Sequence, residues 1–458
     1  MQEHKSKIGG VLGLGIAVLI NSISIEGLSA EGQLCLSLSL MTVIFWGFQI
    51  SHNGYISGLY LALLIVFQVA EPDVVLAPLI ESTIYLVIGA YLIASAVKAS
   101  GLGNRIAYMF ILKYVDSYKD IIISIFVLTF ILSLLIPHPW PRAFLILAVM
   151  VAIIKNANLP KEDGIKIGFT VFAASVPVST IFLTGDSVVN PLAVEFAGMQ
   201  MGWIDWLIYM GVPGVVSSTL TCILILKLFK PSSNVDIDKT EIQNKITSMG
   251  ALTSSEIRVI VWLSIAIVLW MTDFIHGIAL GWITLLIAML MSFPGIGEVL
   301  KPKDWGEVPV QVLIFLTAAI AIGRVGAETG MNDWIAQTLL PAALPSNVFI
   351  LGLFIAGFSI LIHMVLGSVI AVMGIVIPSL IAFTQGMDIS PIVVSLIAFT
   401  TISTHYILPF HHLNLIVGLE KGGYSDRESM RLGLLLTIVV IIVILLVQIP
   451  WWNLIGVV

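Results

Sequence analysis

The sequence predicts an all-α polytopic membrane protein with about eleven transmembrane helices and two re-entrant helical hairpins, arranged as inverted repeats. Three observations carry this. Of 458 residues, 58% are hydrophobic and 10% charged, whereas soluble proteins carry about a quarter charged residues; a soluble enzyme is excluded. Apolar runs near the ~20 residues that span a bilayer recur along the chain. Two further runs are too long for one helix and are broken in the middle. The formal net charge of −6 is dispersed, without the basic tract that nucleic acid would require. Cys35 and Cys222 lie in separate apolar runs, which excludes a disulfide framework or a multi-cysteine metal site.

In chain order, the polar start Met1 to Lys7 lacks a small-residue cleavage motif, so the first apolar run is expected to be a retained helix. Spans are predicted at 8–25, 35–50, 55–70, 84–97, 165–183, 204–229, 257–273, 278–293, 308–322, 391–406 and 430–449. The broken runs cover 121–154, interrupted by Pro137, Pro139 and Pro141, and 347–384, interrupted by Gly367 and Ser368. An irregular tip at membrane depth is tolerated where it is buried in protein or lines a cavity. With the N-terminus cytoplasmic and both broken runs returning to their own side, 19 of the 21 Lys and Arg fall inside, all but Arg142 and Arg324. This obeys the positive-inside rule. Eleven crossings then put the C-terminus outside.

The chain also repeats itself. Ser100 to Ala107 resembles Thr329 to Ala336 at an offset of 229, and the same offset superposes Ile136-Pro137-His138-Pro139 on Val365-Leu366-Gly367-Ser368. Asn190 aligns with Asn414 at an offset of 224, one small gap away. Each half reads as span, short amphipathic helix, hairpin, broken span (165–197 and 391–419) and span, with the polar link 231–255 between them. The two breaks face opposite sides, so the repeats are inverted. Inverted repeats with discontinuous helices are the pattern of secondary transporters, with substrate bound near the midplane.

The order of these elements resembles the divalent anion:sodium symporter (DASS) family within the ion transporter superfamily, from about Ile8 to Trp452. Leu408-Pro409-Phe410-His411-His412-Leu413-Asn414-Leu415-Ile416-Val417 is similar to the family's Leu-Pro-x-x-Thr-Pro-Pro-Asn-x-Ile-Val element, and Ile136-Pro137 with Arg142-Ala143 matches around the first tip. The resemblance implies an elevator-type carrier of dicarboxylates, citrate or sulfate, built as a homodimer in the plasma membrane. It divides the chain into scaffold helices (1–82), a first repeat (83–230), a cytoplasmic linker (231–255), further scaffold helices (256–307) and a second repeat (308–458). The sequence also departs from the family. Where members carry Ser-Asn-Thr at both tips to contact substrate carboxylate and sodium, this chain has His138-Pro139-Trp140 and Gly367-Ser368-Val369.

The expected substrate-binding residues are therefore His138, Pro139, Trp140, Thr184, Asn190, Gly367, Ser368, His411, His412 and Asn414. Asp186, Ser368 and His411 are expected to serve ion coupling. Arg142, costly inside a membrane unless partnered or facing a cavity, is expected to pair with Asp186. Na+ or H+ is the expected coupling ion, with no other cofactor and no metal centre. The expected function is secondary active transport of a small organic or inorganic anion, coupled to an ion gradient or to exchange. The alternatives are a proton-coupled carrier or exchanger of another small polar metabolite, or a channel. Glu195, Arg324 and Glu328 read as surface or gate charges on the outer side. Signatures of hydrolases and of phosphate-binding loops are missing from the sequence, which argues against an enzyme.

Overall fold

The computed structural model describes residues 2–156, 159–232, 239–339, 347–366, 368–384, 387 and 389–458. The first half contains α1 (Gln2–Ser22), α2 (Ala30–Phe48), α3 (Asn53–Val66), α4 (Pro72–Leu76), α5 (Ser82–Ser100), α6 (Leu102–Tyr114), α7 (Tyr118–Leu135), α8 (Pro139–Asn156), α9 (Lys161–Ser179), α10 (Val189–Phe196) and α11 (Trp203–Leu228). After α12 (Thr240–Met249) come α13 (Ser254–Met271), α14 (Asp273–His276), α15 (Leu280–Leu290), α16 (Val310–Glu328), α17 (Met331–Leu339), α18 (Val348–Leu366) and α19 (Val369–Phe383). The chain closes with α20 (Pro391–Thr404), α21 (Leu413–Gly422), α22 (Asp426–Val443), a π-helical turn (Ile444–Gln448) and α23 (Ile449–Leu454).

Among the described residues, eight helices are long and apolar enough to cross a membrane. Two of them, α7 and α18, are the first arms of the interrupted runs. The predicted spans at 55–70 and 278–293 form α3 and α15, of 14 and 11 residues. At 1.5 Å per residue these are shorter than the ~30 Å hydrocarbon core. Large apolar side chains stay exposed on α1, α13, α15 and α22, such as Val11, Val268, Leu286 and Ile438. Lipid is the solvent that makes such a surface favourable.

The element order of the halves repeats: α5 matches α16, α6 matches α17, α7–α8 match α18–α19, α9–α10 match α20–α21, and α11 matches α22. Gly101 and Gly330, 229 residues apart, both hold positive φ (81° and 75°) at the corner between span and amphipathic helix. Glycine adopts this conformation without the Cβ penalty. The broken spans pack crosswise, α9 against α21 and α10 against α20, as an antiparallel pair related by inversion must. Gly168 and Gly422 let the backbones of α9 and α21 touch, since a Cβ on Gly168 would lie 2.2 Å from the Gly422 carbonyl oxygen.

The polar link is partly structured. Helix α12 packs on α6, and Arg105 of α6 donates Nε to Glu256 Oε1 at 2.6 Å and an NH1 bond to the Gly250 carbonyl at 2.8 Å. A buried guanidinium thus fastens the end of the link to the first half.

Candidate functional site

The first interrupted run stops for a chemical reason. Pro137, Pro139 and Pro141 remove three backbone donors in succession, so α7 cannot continue; α8 can begin at Pro139, because first-turn N–H groups have no intrahelical partner anyway. The tip is fastened to the neighbouring broken span by Ser187 N–H, which donates to the Pro137 carbonyl at 3.2 Å. It therefore sits level with the middle of α9–α10. In the second run, Ser368 is extended (φ −121°, ψ 116°) and its side chain makes no cap bond to α19. Gly367 lies outside the described residues.

One cavity is lined by both tips and both breaks. His138, Pro139 and Trp140 come from the first tip, Asp186, Val188 and Val189 from the first break, Ser368, Val369 and Ile370 from the second tip, and His412, Asn414 and Ile416 from the second break. Because the two tips share a cavity with the middles of the broken spans, neither interrupted run delivers its tip to a membrane face. Trp46, Gln49 and Asn53 from α2–α3, Tyr91 from α5, and Val312 and Phe315 from α16 complete the wall. Sequence reasoning missed these residues, which sit in ordinary apolar spans without a motif.

The starts of α8, α10, α19 and α21 all line this space. Helix N-termini carry free N–H groups and a positive dipole end. At α8 the Trp140 N–H is taken by His138 Nδ1 at 3.3 Å. Asp186 Oδ1 accepts from Val188 and Val189 N–H at 3.0 and 3.1 Å at the start of α10. At α21 the Asn414 N–H reaches His412 Nδ1 at 3.3 Å. Helix α19 differs: among the described residues no acceptor takes the N–H of Val369 or Ile370. Among the described residues no Lys or Arg lines the cavity, and Asp186 is its one charged lining residue.

His138 links the two sides of the cavity. Its Nδ1 accepts from Trp140, which places the neutral ring's proton on Nε2, and Nε2 lies 3.0 Å from Tyr91 Oη. Donating Nε2–H to that oxygen leaves the Tyr91 hydroxyl proton available to the cavity.

Three expected site residues take other places. Asn190 is buried and outside the cavity wall; its Nδ2 donates to the carbonyls of Ser179 (2.7 Å) and Phe182 (2.9 Å), bracing the unwound stretch. Thr184 accepts the Trp203 indole N–H at 3.0 Å. His411 lies behind the wall in a 3-10 turn (Pro409–His411), its ring 5.3 Å from that of His363. His412 faces the cavity, and its Nδ1 accepts the Asn414 N–H.

The expected Arg142–Asp186 ion pair is replaced by another arrangement. Arg142 is fully buried and donates to the carbonyls of Ile136 and Gly185, both at 3.1 Å, and to Ser179 Oγ at 2.5 Å. The carbonyls freed where helices end claim the guanidinium, while Asp186 serves the N–H groups of α10. Arg324 joins Glu81 (2.8 Å) and Glu195 (2.6 Å) across a separate cavity.

The family model described as the sodium:sulfate symporter transmembrane region matches residues 10–458. The sodium-dependent dicarboxylate transporter SdcS of Staphylococcus saprophyticus is 22% identical, over 98% of this chain and 93% of its own. The citrate/succinate antiporter of Escherichia coli K12 is 23% identical, over 82% and 80%. Among solved structures, the YdaH transporter of Alcanivorax borkumensis superposes with a TM-score of 0.51 at 14% identity, over 94% of this chain and 98% of that one; this is a likeness of fold.

Proposed function

The chain belongs to the sodium:sulfate symporter family, and from that premise we propose that it is an elevator-type carrier of small dicarboxylate-, tricarboxylate- or sulfate-like anions. It is a multi-pass membrane protein and a secondary transporter of anions, not an enzyme. The observation that carries the finer reading is the convergence of four helix starts on one cavity, lined by Val369 and Ile370, whose N–H groups have no acceptor among the described residues. A helix N-terminus is an anion site without any cationic side chain. His138, His412, Asn414 and Ser368 add oriented polar groups, and Trp140 walls the space.

The elevator reading is supported by how the cavity is divided. One wall belongs to α2, α3, α5 and α16, which pack among themselves with α13 and α15. The other belongs to the tips and broken spans. The first wall is the proposed scaffold and homodimer side; the second moves with the bound anion. The Tyr91–His138 contact crosses the boundary between them and breaks at each stroke. The distribution of Lys and Arg supports a cytoplasmic N-terminus and an outer C-terminus, in the plasma membrane.

The test is counterflow. Purified protein in liposomes loaded with malate, succinate, citrate or sulfate should take up the same labelled anion saturably, and faster than from empty liposomes. Uptake without saturation or counterflow refutes a carrier in favour of a channel. Lack of uptake of all four anions refutes the substrate class.

A further inference from the structure

One cluster has no role in the anion site. His363 on α18, His405 just beyond α20 and His411 in the 3-10 turn place three buried imidazoles with ring centroids 5.6, 5.3 and 6.2 Å apart. Their hydrogen bonds fix the tautomers. His411 Nδ1 accepts from the N–H groups of Ile407 (3.0 Å) and Leu408 (3.2 Å), so its ring proton is on Nε2. His363 Nε2 donates to the His411 carbonyl at 3.0 Å, which makes its Nδ1 a bare lone pair. That Nδ1, and both ring nitrogens of His405, are buried without a partner among the described residues. Buried polar atoms are paired in the great majority of cases, and packing alone would be served by Phe or Leu.

We propose that the His363–His405–His411 cluster is a proton-binding site, and that the proton and the anionic substrate bind together. This rests on the carrier reading and supplies its coupling ion. Among the described residues, no group of three His, Cys, Asp or Glu is spaced to hold a metal ion. A proton fits better. Taken up by His405, it gives that ring two N–H donors whichever nitrogen held the first proton, so one of them can always meet the lone pair of His363 Nδ1. No covalent bond forms elsewhere: the proton enters from the aqueous side on which the anion binds and leaves with it on the other.

Charge explains why the two bind together. Among the described residues the cavity lining has no Lys or Arg and one carboxylate, Asp186, so an entering anion meets no cationic side chain there. His411 is followed by His412 at the start of α21 and by Asn414, both cavity-lining. A proton on the cluster is therefore one peptide unit removed from the cavity wall, through His411 and His412. Each ligand raises the affinity of the other by the same factor.

The surroundings leave this charge to the histidines. The titratable groups acting on His363 are His405, His411 and His412, and on His405 it is His411. The carboxylates on the packed helices α2, α9, α10, α21 and α22, such as Glu31, Asp163, Glu195, Glu420 and Glu428, stand near helix ends. None forms an ion pair with His363 or His405 among the described residues. Tyr406, beside His405, is buried with its hydroxyl unpartnered.

The test uses the full chain in liposomes containing pyranine, with whichever of malate, succinate, citrate or sulfate gives counterflow. At external pH 7.5 to 8.5, where these anions are fully ionised, uptake should acidify the lumen. An inward pH gradient of one unit should drive about tenfold accumulation per proton carried, without sodium. His405→Gln and His363→Gln should abolish both effects while retaining counterflow at fixed pH, which reports a folded carrier. Counterflow without lumen acidification in the unaltered protein overturns the proposal and leaves the carrier intact. So does full gradient-driven accumulation in both variants. Lack of counterflow in the unaltered protein overturns the carrier reading and this proposal together. If both variants lose counterflow yet unfold at the temperature of the unaltered protein, the cluster belongs to the anion path itself and the proposal is overturned; if they do not fold, His405→Asn and His363→Asn are read in their place.

Discussion

Replacing Val369 by proline isolates the backbone as an anion ligand. Position 369 is the first residue of α19, where proline is tolerated because the N–H it removes has no intrahelical partner. Ser368 before it has φ −121° and ψ 116°, close to the extended conformation that a following proline imposes. The substitution therefore leaves the helix intact and deletes one N–H facing the cavity. A hydrogen bond to a charged group contributes about 1.5–3 kcal/mol, which corresponds to roughly 10- to 150-fold in Kd. Val369→Ala shortens the side chain but keeps the N–H, and so serves as the control. Binding is read by calorimetry in detergent with the anion identified by counterflow, and fold by thermal unfolding. We expect Val369→Pro to bind at least about tenfold more weakly than Val369→Ala, with melting temperatures within a few degrees. Equal affinities in the two folded variants would refute the claim that α19 presents its N–H groups to the substrate.

Asn190→Ala leaves the Ser179 and Phe182 carbonyls without their donor and should cost about 2–4 kcal/mol of stability with affinity nearly unchanged, whereas Asn414→Ala should weaken binding about tenfold or more with a small loss of stability; thermal unfolding and calorimetry separate the two. Gly168→Ala drives a methyl into the Gly422 carbonyl and should destabilise by about 1–3 kcal/mol or more, as overpacking does, seen as a lower midpoint of unfolding. Tyr91→Phe removes the acceptor of His138 Nε2–H; it should change the counterflow rate severalfold while the protein stays folded, since the contact crosses the proposed sliding boundary. Arg142→Met strips donors from the Ile136 and Gly185 carbonyls and should destabilise by about 2–5 kcal/mol. Arg142 and Asp186 make no direct ion pair, yet each charge acts on the other inside the protein, so a double-mutant cycle with Asp186→Asn should show a coupling of about 0.5–3 kcal/mol.

The overall architecture was legible because the membrane imposes strong rules. Length, hydropathy and the distribution of Lys and Arg define segments, and the proline-rich tip announces a break at 137–141 by removing donors. The 229-residue offset reached a backbone fact, the positive φ shared by Gly101 and Gly330. The lining of the cavity was only half legible. His138, Ser368, His412 and Asn414 could be found because they sit at breaks. Tyr91, Gln49 and Trp46 could not, since a residue facing a cavity from an intact helix has the same sequence context as one facing its neighbour. Asn190 lies off the cavity wall and Arg142 away from Asp186 for a single reason. A polar side chain near a break meets two demands, the freed carbonyls and the cavity, and sequence does not say which claims it.

That competition also explains why one tip is left to receive an anion. Four helices start at the cavity, and at three of them a side chain occupies an N–H: His138 at α8, Asp186 at α10 and His412 at α21. The first tip closes itself further with prolines, which have no N–H to offer. At α19 the residue before the helix is Ser368, whose hydroxyl makes no cap bond, so its first-turn donors remain open. The pseudo-symmetry of the fold brings four equivalent ends together, and the side chains at three of them break that symmetry. The anion should therefore dock asymmetrically, with its charge on the second hairpin. His138 and Tyr91 then face its far end from the first tip and α5. Variation at His138 or Tyr91 should alter which anions are accepted more than how tightly a charge is held, and variation at the start of α19 should do the reverse.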